Sequence, residues 1–308
     1  MNRMNKSSPR YWIVVFMGVA VLLPSVAFGA PIIFSDSGAN ALSIQDTVDA
    51  FRASLGNPNN ANAPGPLASG RREINWDGAA ATDGTAAVTP FTVFQNTRGA
   101  TFTTPGSGLT QTPITGGTVD IIPGGLLQGS LAGINGTYAT TFVTFSPNRL
   151  FTPIGSNITD GTFSLPGTGG AVPATVSGFG AVFTDVDLVN ITSIQYFDAS
   201  NASLGTFFVP PGVAGAASNQ TLSFLGVNFT SERISRVRIT TGNSALGPDD
   251  GIIDTPNVDV VVMDDFLYSE PQVVPEPATL LLLGTGIAAL VMWRSRFRSP
   301  GPRRPGAW

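Results

Sequence analysis

The residues able to do chemistry are almost all carboxylates. Asp185 and Asp187 stand two apart, a spacing that places both on one face of an extended strand. Asp264 and Asp265 are adjacent, which in regular strand puts them on opposite faces. Calcium takes roughly six to eight oxygen ligands, mostly carboxylates and carbonyls, so these four aspartates are the candidate calcium ligands. Asp249, Asp250 and Asp254 crowd a Gly/Pro stretch without the spacing of an EF-hand loop. The competing reading is an acidic, solvated surface whose aspartates form turns. Trp76, between Asn75 and Asp77, is the candidate ligand-binding aromatic, placed to stack on a sugar, unless it sits in the core. The other body aromatics besides Phe are Tyr138, Tyr196 and Tyr268.

Catalysis finds little support. The chain has no His and no Cys, which removes Ser-His-Asp and Cys-His nucleophiles, His- or Cys-ligated zinc and disulfides. A glycosidase needs two carboxylates across one bond. The glutamates of the body are Glu73, Glu232 and Glu270, and Glu73 beside Arg72 reads as an ion-paired structural group. The expectation is that the protein is not an enzyme and has no catalytic residues.

The elements that must hold these groups are mostly strands. Gly (36) and Pro (24) make up about a fifth of the 308 residues. One helical pattern stands out at 43–55, with Ile44, Val48, Phe51 and Leu55 at helical spacing, Ser43 as its cap and Gly56 as its end. A Pro/Asn/Gly loop follows at 57–69. Beyond it, β-rich runs at 91–94, 100–103, 136–145, 175–187, 193–198, 203–209, 221–229, 233–240 and 258–268 are separated by Gly, Pro, Asn and Ser. Two of them read as a hairpin turning at Ser200-Asn201. The predicted fold is all-β: one jelly-roll-like β-sandwich over 70–270, with one short N-terminal helix in a 30–69 segment packed on it.

Charge is segregated along the chain. Of 16 basic residues, three precede residue 31 and five follow residue 277; all 20 acids lie between, so 31–277 carries 8 basic and 20 acidic residues, a net of −12. That balance argues against nucleic acid as a partner, since phosphate binding needs a basic patch. At the N-terminus, Arg3, Lys6 and Arg10 precede an apolar run at 12–23, with Ala27 and Gly29 small residues at −3 and −1. This reads as a signal peptide, 1–29, handled by the Sec machinery and signal peptidase; the alternative is a retained N-terminal anchor. At the C-terminus, Pro275-Glu276-Pro277 is followed by 16 apolar-rich residues, 278–293, and then by Arg294, Arg296 and Arg298. Those 16 residues make roughly 24 Å of helix against a hydrocarbon core of ~30 Å. The run reads as a marginal transmembrane helix with arginines as its stop.

The segment VPEPATLLLLGTGIAALVMWRSRFR resembles the PEP-CTERM sorting signal of Gram-negative bacteria. The resemblance implies that Pro275, Glu276 and Pro277 are read by an exosortase in the membrane. It also implies a membrane-anchored intermediate, then delivery to the cell surface or outside it, in a system tied to exopolysaccharide and biofilm. The chain departs from the pattern in its long tail after Arg298; the alternative is an ordinary tail anchor. Within the body, 175–268 resembles jelly-roll domains of PEP-CTERM proteins and carbohydrate-binding modules whose last strand ends in Asp-Asp. That likeness implies a structural calcium on Asp264 or Asp265, and a calcium-dependent lectin as the alternative to a structural or adhesive body.

Overall fold

The computed structural model describes residues 29–77, 87–112, 120–122, 126–128, 131, 134–146, 149–212, 219–230, 233–247, 257–274 and 278–296. The expected signal peptide (save Gly29), Pro275–Glu276–Pro277, Arg298 and the aspartates at 249, 250 and 254 therefore lie outside the described residues. The elements begin with β1 (Ile32–Gly38), α1 (Ala41–Leu55), β2 (Arg71–Ile74), α2 (Gln95–Arg98), β3 (Ala100–Thr103) and β4 (Gly108–Gln111). They continue with β5 (Asp120–Ile122), β6 (Leu126–Gln128), α3 (Tyr138–Thr141), β7 (Phe151–Ile154), β8 (Ile158–Phe163), β9 (Ala174–Thr175) and β10 (Gly178–Thr184). The last are β11 (Ser193–Phe197), β12 (Ser203–Phe208), β13 (Leu222–Asn228), β14 (Arg236–Thr240), β15 (Val262–Ser269), β16 (Gln272–Val273) and α4 (Ala278–Arg296).

Two antiparallel sheets face each other as a sandwich. One runs β1-β13-β10-β15-β7-β4, with β2 also on β15; the other runs β12-β11-β14-β8-β3. Alternation along the strands aims Phe179, Ala181 and Phe183 of β10 and Phe266 and Tyr268 of β15 at Ile194 and Tyr196 of β11 and Val237 and Ile239 of β14. All are buried in one apolar core. The Tyr196 hydroxyl donates to the Phe179 carbonyl across the sandwich at 3.0 Å, which gives a buried polar group its partner.

Helix α1 covers the outer face of the first sheet. Its buried stripe is Ile44, Val48, Phe51 and Leu55, as the periodicity predicts. The cap differs from expectation: Asn40, not Ser43, stands at the N-cap and accepts from the Ser43 N–H, because the helix starts two residues earlier. The helix sits close because the strands beneath it lack side chains. A Cβ on Gly180 or Gly226 would lie 2.8 and 2.7 Å from the Phe51 ring, and one on Gly178 would lie 2.6 Å from Leu55. Glycine is used here for close approach, not for a turn.

The loop at 57–69 is tied down by a buried ion pair. Arg72 is fully buried and holds Glu270 through two bonds, Nε to Oε2 at 2.6 Å and Nη2 to Oε1 at 2.7 Å. Its Nη1 donates to the carbonyls of Ala61 and Ala63, both at 2.7 Å, and of Thr97 at 3.3 Å. Glu270 also accepts from Asn60 Nδ2 and the Leu67 N–H. Every charge-bearing group in this pair is met by hydrogen bonds, the condition under which burying ions is tolerated.

Several boundaries move from the sequence reading. β1 pairs with β13 along seven residues, so the sheet body includes the 30–69 segment instead of starting at 70. The hairpin of β11 and β12 forms as read, with Ser193 opposite Phe208 and Asn201 at φ 63° in the turn. The run 136–145 is not a strand: Asn135 accepts from the Thr137 N–H and hydroxyl and starts the single turn of α3. There the local side-chain bond overrides the β propensity of Tyr and Thr. At 91–94 only Phe91 bridges, to Phe102, before the chain turns. Strands β1, β2, β4, β7 and β8 are too short or too polar to announce themselves. Gly226→Ala should lower unfolding free energy by about 1–3 kcal/mol, read by urea denaturation. In a Phe51→Leu background that cost should shrink, because the two sites share one contact.

Candidate functional site

The aspartates at 264 and 265 are brought together by an irregularity that their spacing does not announce. β10 takes two steps from Ala181 to Phe183, while β15 takes three from Phe266 to Met263. The extra residue is a β-bulge, which leaves two residues of one strand opposite one of the other. Met263 and Phe266 both stay in the sandwich core, so Asp264 and Asp265 share the helix-covered side of the sheet. The expectation of opposite faces is corrected: the bulge breaks the two-residue alternation. The bulge also turns the Asp264 carbonyl toward the core, where it accepts from the Trp76 indole N–H at 3.0 Å.

Three carboxyl groups meet around Ser146. Its hydroxyl lies 2.7 Å from Asp265 Oδ1 and 3.0 Å from Asp77 Oδ2. A hydroxyl has one proton to donate, so the two carboxylates share or compete for it. Asp264 Oδ2 accepts from the N–H groups of Phe145 at 2.6 Å and Ser146 at 3.3 Å. Arg52 lies 3.7 Å from Asp265 Oδ2 and is shared with Asp49 and Glu73. Glu73 is held by Arg71 as well, at 2.6 Å, in the ion-paired role read from the sequence.

Burial, then the neighbouring Asp265 carboxyl, pushes Asp264 well above the usual carboxylate range. Burial likewise raises Asp265 to about 6, against the Ser146 bond and the Arg52 charge that favour its ionised form. Asp264 is 0% exposed and Asp265 3%. Asp264 and Asp265 are thus buried beneath α1, while Asp77 and Ser146 are half-buried.

Asp185 and Asp187 lie elsewhere, at the end of β10. Asp185 is fully buried with φ 67°, and its N–H donates to the Thr221 carbonyl. Asp187 and Leu188 donate their N–H groups to the Asp259 carboxylate, at 3.3 and 3.2 Å. Among the described residues no group of three or more acidic side chains is arranged to hold a metal ion. Asp77, Ser146 and Asp259 were not singled out as partners of these aspartates; nothing in their spacing marks them.

Trp76 is corrected from ligand platform to core. It is 0% exposed and stacks on Phe151 with centroids 3.8 Å apart and planes within 3°. Phe94 and Phe266 meet it edge-on. A ring enclosed on both faces has no side left for a sugar.

The C-terminal segment leaves the body at β16, which pairs with β9, while Gln272 Nε2 donates to the Leu67 carbonyl at 2.8 Å. The apolar run forms one helix, α4, of 19 residues. Leu283, Ile287, Leu290, Val291, Met292 and Trp293 are all more than half exposed along it. The spanning helix expected at 278–293 is not borne out: among the described residues no helix is long and apolar enough to cross a membrane. Gly284, Thr285 and Gly286 dilute its hydropathy and Arg294 and Arg296 fall within its length.

The raised carboxyls fix a pH dependence. Protonation of Asp265 favours the folded state, fully so below the ordinary aspartate value of 3.8, and that contribution is lost as pH rises through about 6. The parent should lose melting temperature relative to Asp265→Asn between about pH 4 and pH 7. Parallel melting curves for the two proteins across that window would contradict the assignment.

No curated protein matches the chain. A profile described as the PEP-CTERM protein-sorting motif matches residues 273–296. The match begins at the second residue of β16 and ends with α4 at Arg296. The chain therefore carries a PEP-CTERM protein-sorting motif, which implies export, a membrane-anchored intermediate and processing by an exosortase.

Proposed function

We propose that this is a non-enzymatic exported protein whose β-sandwich has a structural or adhesive role at the cell surface or in the extracellular matrix of a Gram-negative bacterium, in contact with exopolysaccharide. The observation that carries the reading is the sorting motif directly after the last body strand. Residues 1–29 fit a signal peptide taken by the Sec machinery and signal peptidase. The strands cross repeatedly from sheet to sheet, β10 to β11, β13 to β14 and β14 to β15, which supports the jelly-roll reading. Burial of the closest carboxyl cluster supports the absence of catalysis.

Helix α4 acts in this proposal as a weak, temporary anchor. A helix apolar on all its described faces is poorly suited to water, and one short of the hydrocarbon thickness is poorly held in lipid. Such a helix keeps the Pro-Glu-Pro motif at the membrane surface without making release costly. Glu276→Ala should leave the uncleaved chain in the membrane fraction and reduce the surface-delivered form, read by immunoblot of fractionated cells. Unchanged processing would make the motif a mere linker.

The alternative, a calcium-dependent carbohydrate-binding module, draws on the sequence likeness and on the four aspartates. Asp185 and Asp187 directly follow β10, and Asp264 and Asp265 stand at the bulge of its neighbour β15. Added calcium should leave the melting temperature unchanged. A rise reversed by a chelator would favour the alternative, since a ligand that binds only the folded state must stabilise it.

A further inference from the structure

One cavity is built from side chains that no part of the account above uses. It holds about 260 Å³ and is lined by Gln95, Thr101, Thr162, Phe163, Ser164, Gly170 and Pro173. Thr101 and Thr162 alternate with the inward Phe102 and Phe163, so the cavity lies on the outer face of the second sheet. That face has no covering helix among the described residues, unlike the first sheet under α1.

The walls are held in place before any ligand arrives. Asn96 accepts from the Gly167 N–H through its carbonyl at 2.7 Å, and from the Gly169 N–H through its side chain at 3.1 Å. These bonds clamp α2 to the turn that follows β8. Gln95 Nε2 donates to Thr101 Oγ1 at 3.0 Å, which fixes the amide and leaves the Thr101 proton and the amide oxygen for other partners. Gly170 has φ 85°, and a Cβ there would stand 2.5 Å from Gln95 Nε2. Only glycine leaves the amide in place. Ser164 is 7% exposed and its hydroxyl has no hydrogen-bond partner among the described residues, an unmet polar group beneath the cavity.

The lining selects a chemical class. It presents hydroxyls and an amide and no charged side chain, so it has nothing to neutralise an ion. Its volume is just below the ~300 Å³ at which pockets for drug-sized ligands begin, which suits a single small ring. We propose that this cavity binds one uncharged, hydroxylated ring, a neutral monosaccharide unit of a glycan, with Gln95, Thr101, Thr162 and Ser164 as its hydrogen-bonding partners. The inference deepens the polysaccharide contact proposed above and rests on it. The arginines farther along the ladder are occupied: Asp160 accepts from Arg236 Nη1 at 2.9 Å and from Arg238 Nε and Nη2 at 2.9 and 2.8 Å, and Arg236 also donates to Asn201.

The test uses the full-length chain and the methyl glycosides of glucose, galactose, mannose and N-acetylglucosamine, with glucuronate as the charged comparison, followed by saturation-transfer NMR. At least one neutral glycoside should bind and glucuronate should bind more weakly. Gln95→Leu and Ser164→Ala should each weaken the neutral ligand by about fivefold, the loss of one hydrogen bond, with melting temperatures confirming that the variants fold. No neutral glycoside binding, or binding unchanged in both variants, would overturn the site. Co-sedimentation with exopolysaccharide separates the two readings. Variants that pellet as the parent does would refute the cavity and leave the polysaccharide role standing; a parent that never pellets would refute that role.

Discussion

The interaction on which most of the architecture depends is the buried pair of Arg72 and Glu270. These residues lie 198 positions apart, and their two bonds join β2 to the residue that follows β15. The remaining donors and acceptors gather the chain around them: carbonyls at Ala61, Ala63 and Thr97, and donors at Asn60 and Leu67. A Pro/Asn/Gly loop with little apolar content cannot fold over a core by burial alone. It is ordered here because a buried ion pair must have all its valences met, and removing either partner would strand a charge at a cost of about 3–5 kcal/mol. Thr97 belongs to α2, so the same pair reaches the wall of the outer-face cavity.

The handling of charge elsewhere follows the same physics with different means. The body has 8 basic residues against 20 acids, and all eight are arginines. The guanidinium offers five N–H donors in a planar fork that meets a carboxylate bidentately, which a lysine ammonium does not. Arg52 shares itself among Asp49, Glu73 and Asp265, and Asp160 is met by both Arg236 and Arg238. At Asp264 and Asp265 burial opposes ionisation and raises both carboxyls above the usual carboxylate range. That perturbation is a product of packing under α1.

Part of this was legible in the residues. The stripe Ile44, Val48, Phe51 and Leu55 gave α1 its buried face, and the runs at 193–198 and 203–209 gave their hairpin, because local periodicity alone decides them. Other elements were not legible for reasons that can be named. β1 lies far from its partner β13, and a single strand carries no record of what it pairs with. The run 136–145 had strand composition, yet one Asn135 side chain turned it into α3. Trp76 between two polar neighbours left a sugar platform and a core ring both open; the bulge carbonyl that satisfies its N–H comes from residue 264, out of reach of any local pattern.

The amino-acid order by itself determined the address. Pro275-Glu276-Pro277, the apolar stretch and its arginines are contiguous, and the sorting-motif profile that matches 273–296 depends on that order of residues alone. It determined the β-rich class as well, through the turn residues that punctuate short runs. Tertiary structure decided the rest. One inserted residue at Asp264–Asp265 swung two carboxyls to the same side of a sheet, and bare glycines at 178, 180 and 226 let a helix settle against them. Those outcomes hinge on which strand meets which and in what register, and register is set by the joint burial of distant faces, not by any stretch of neighbours.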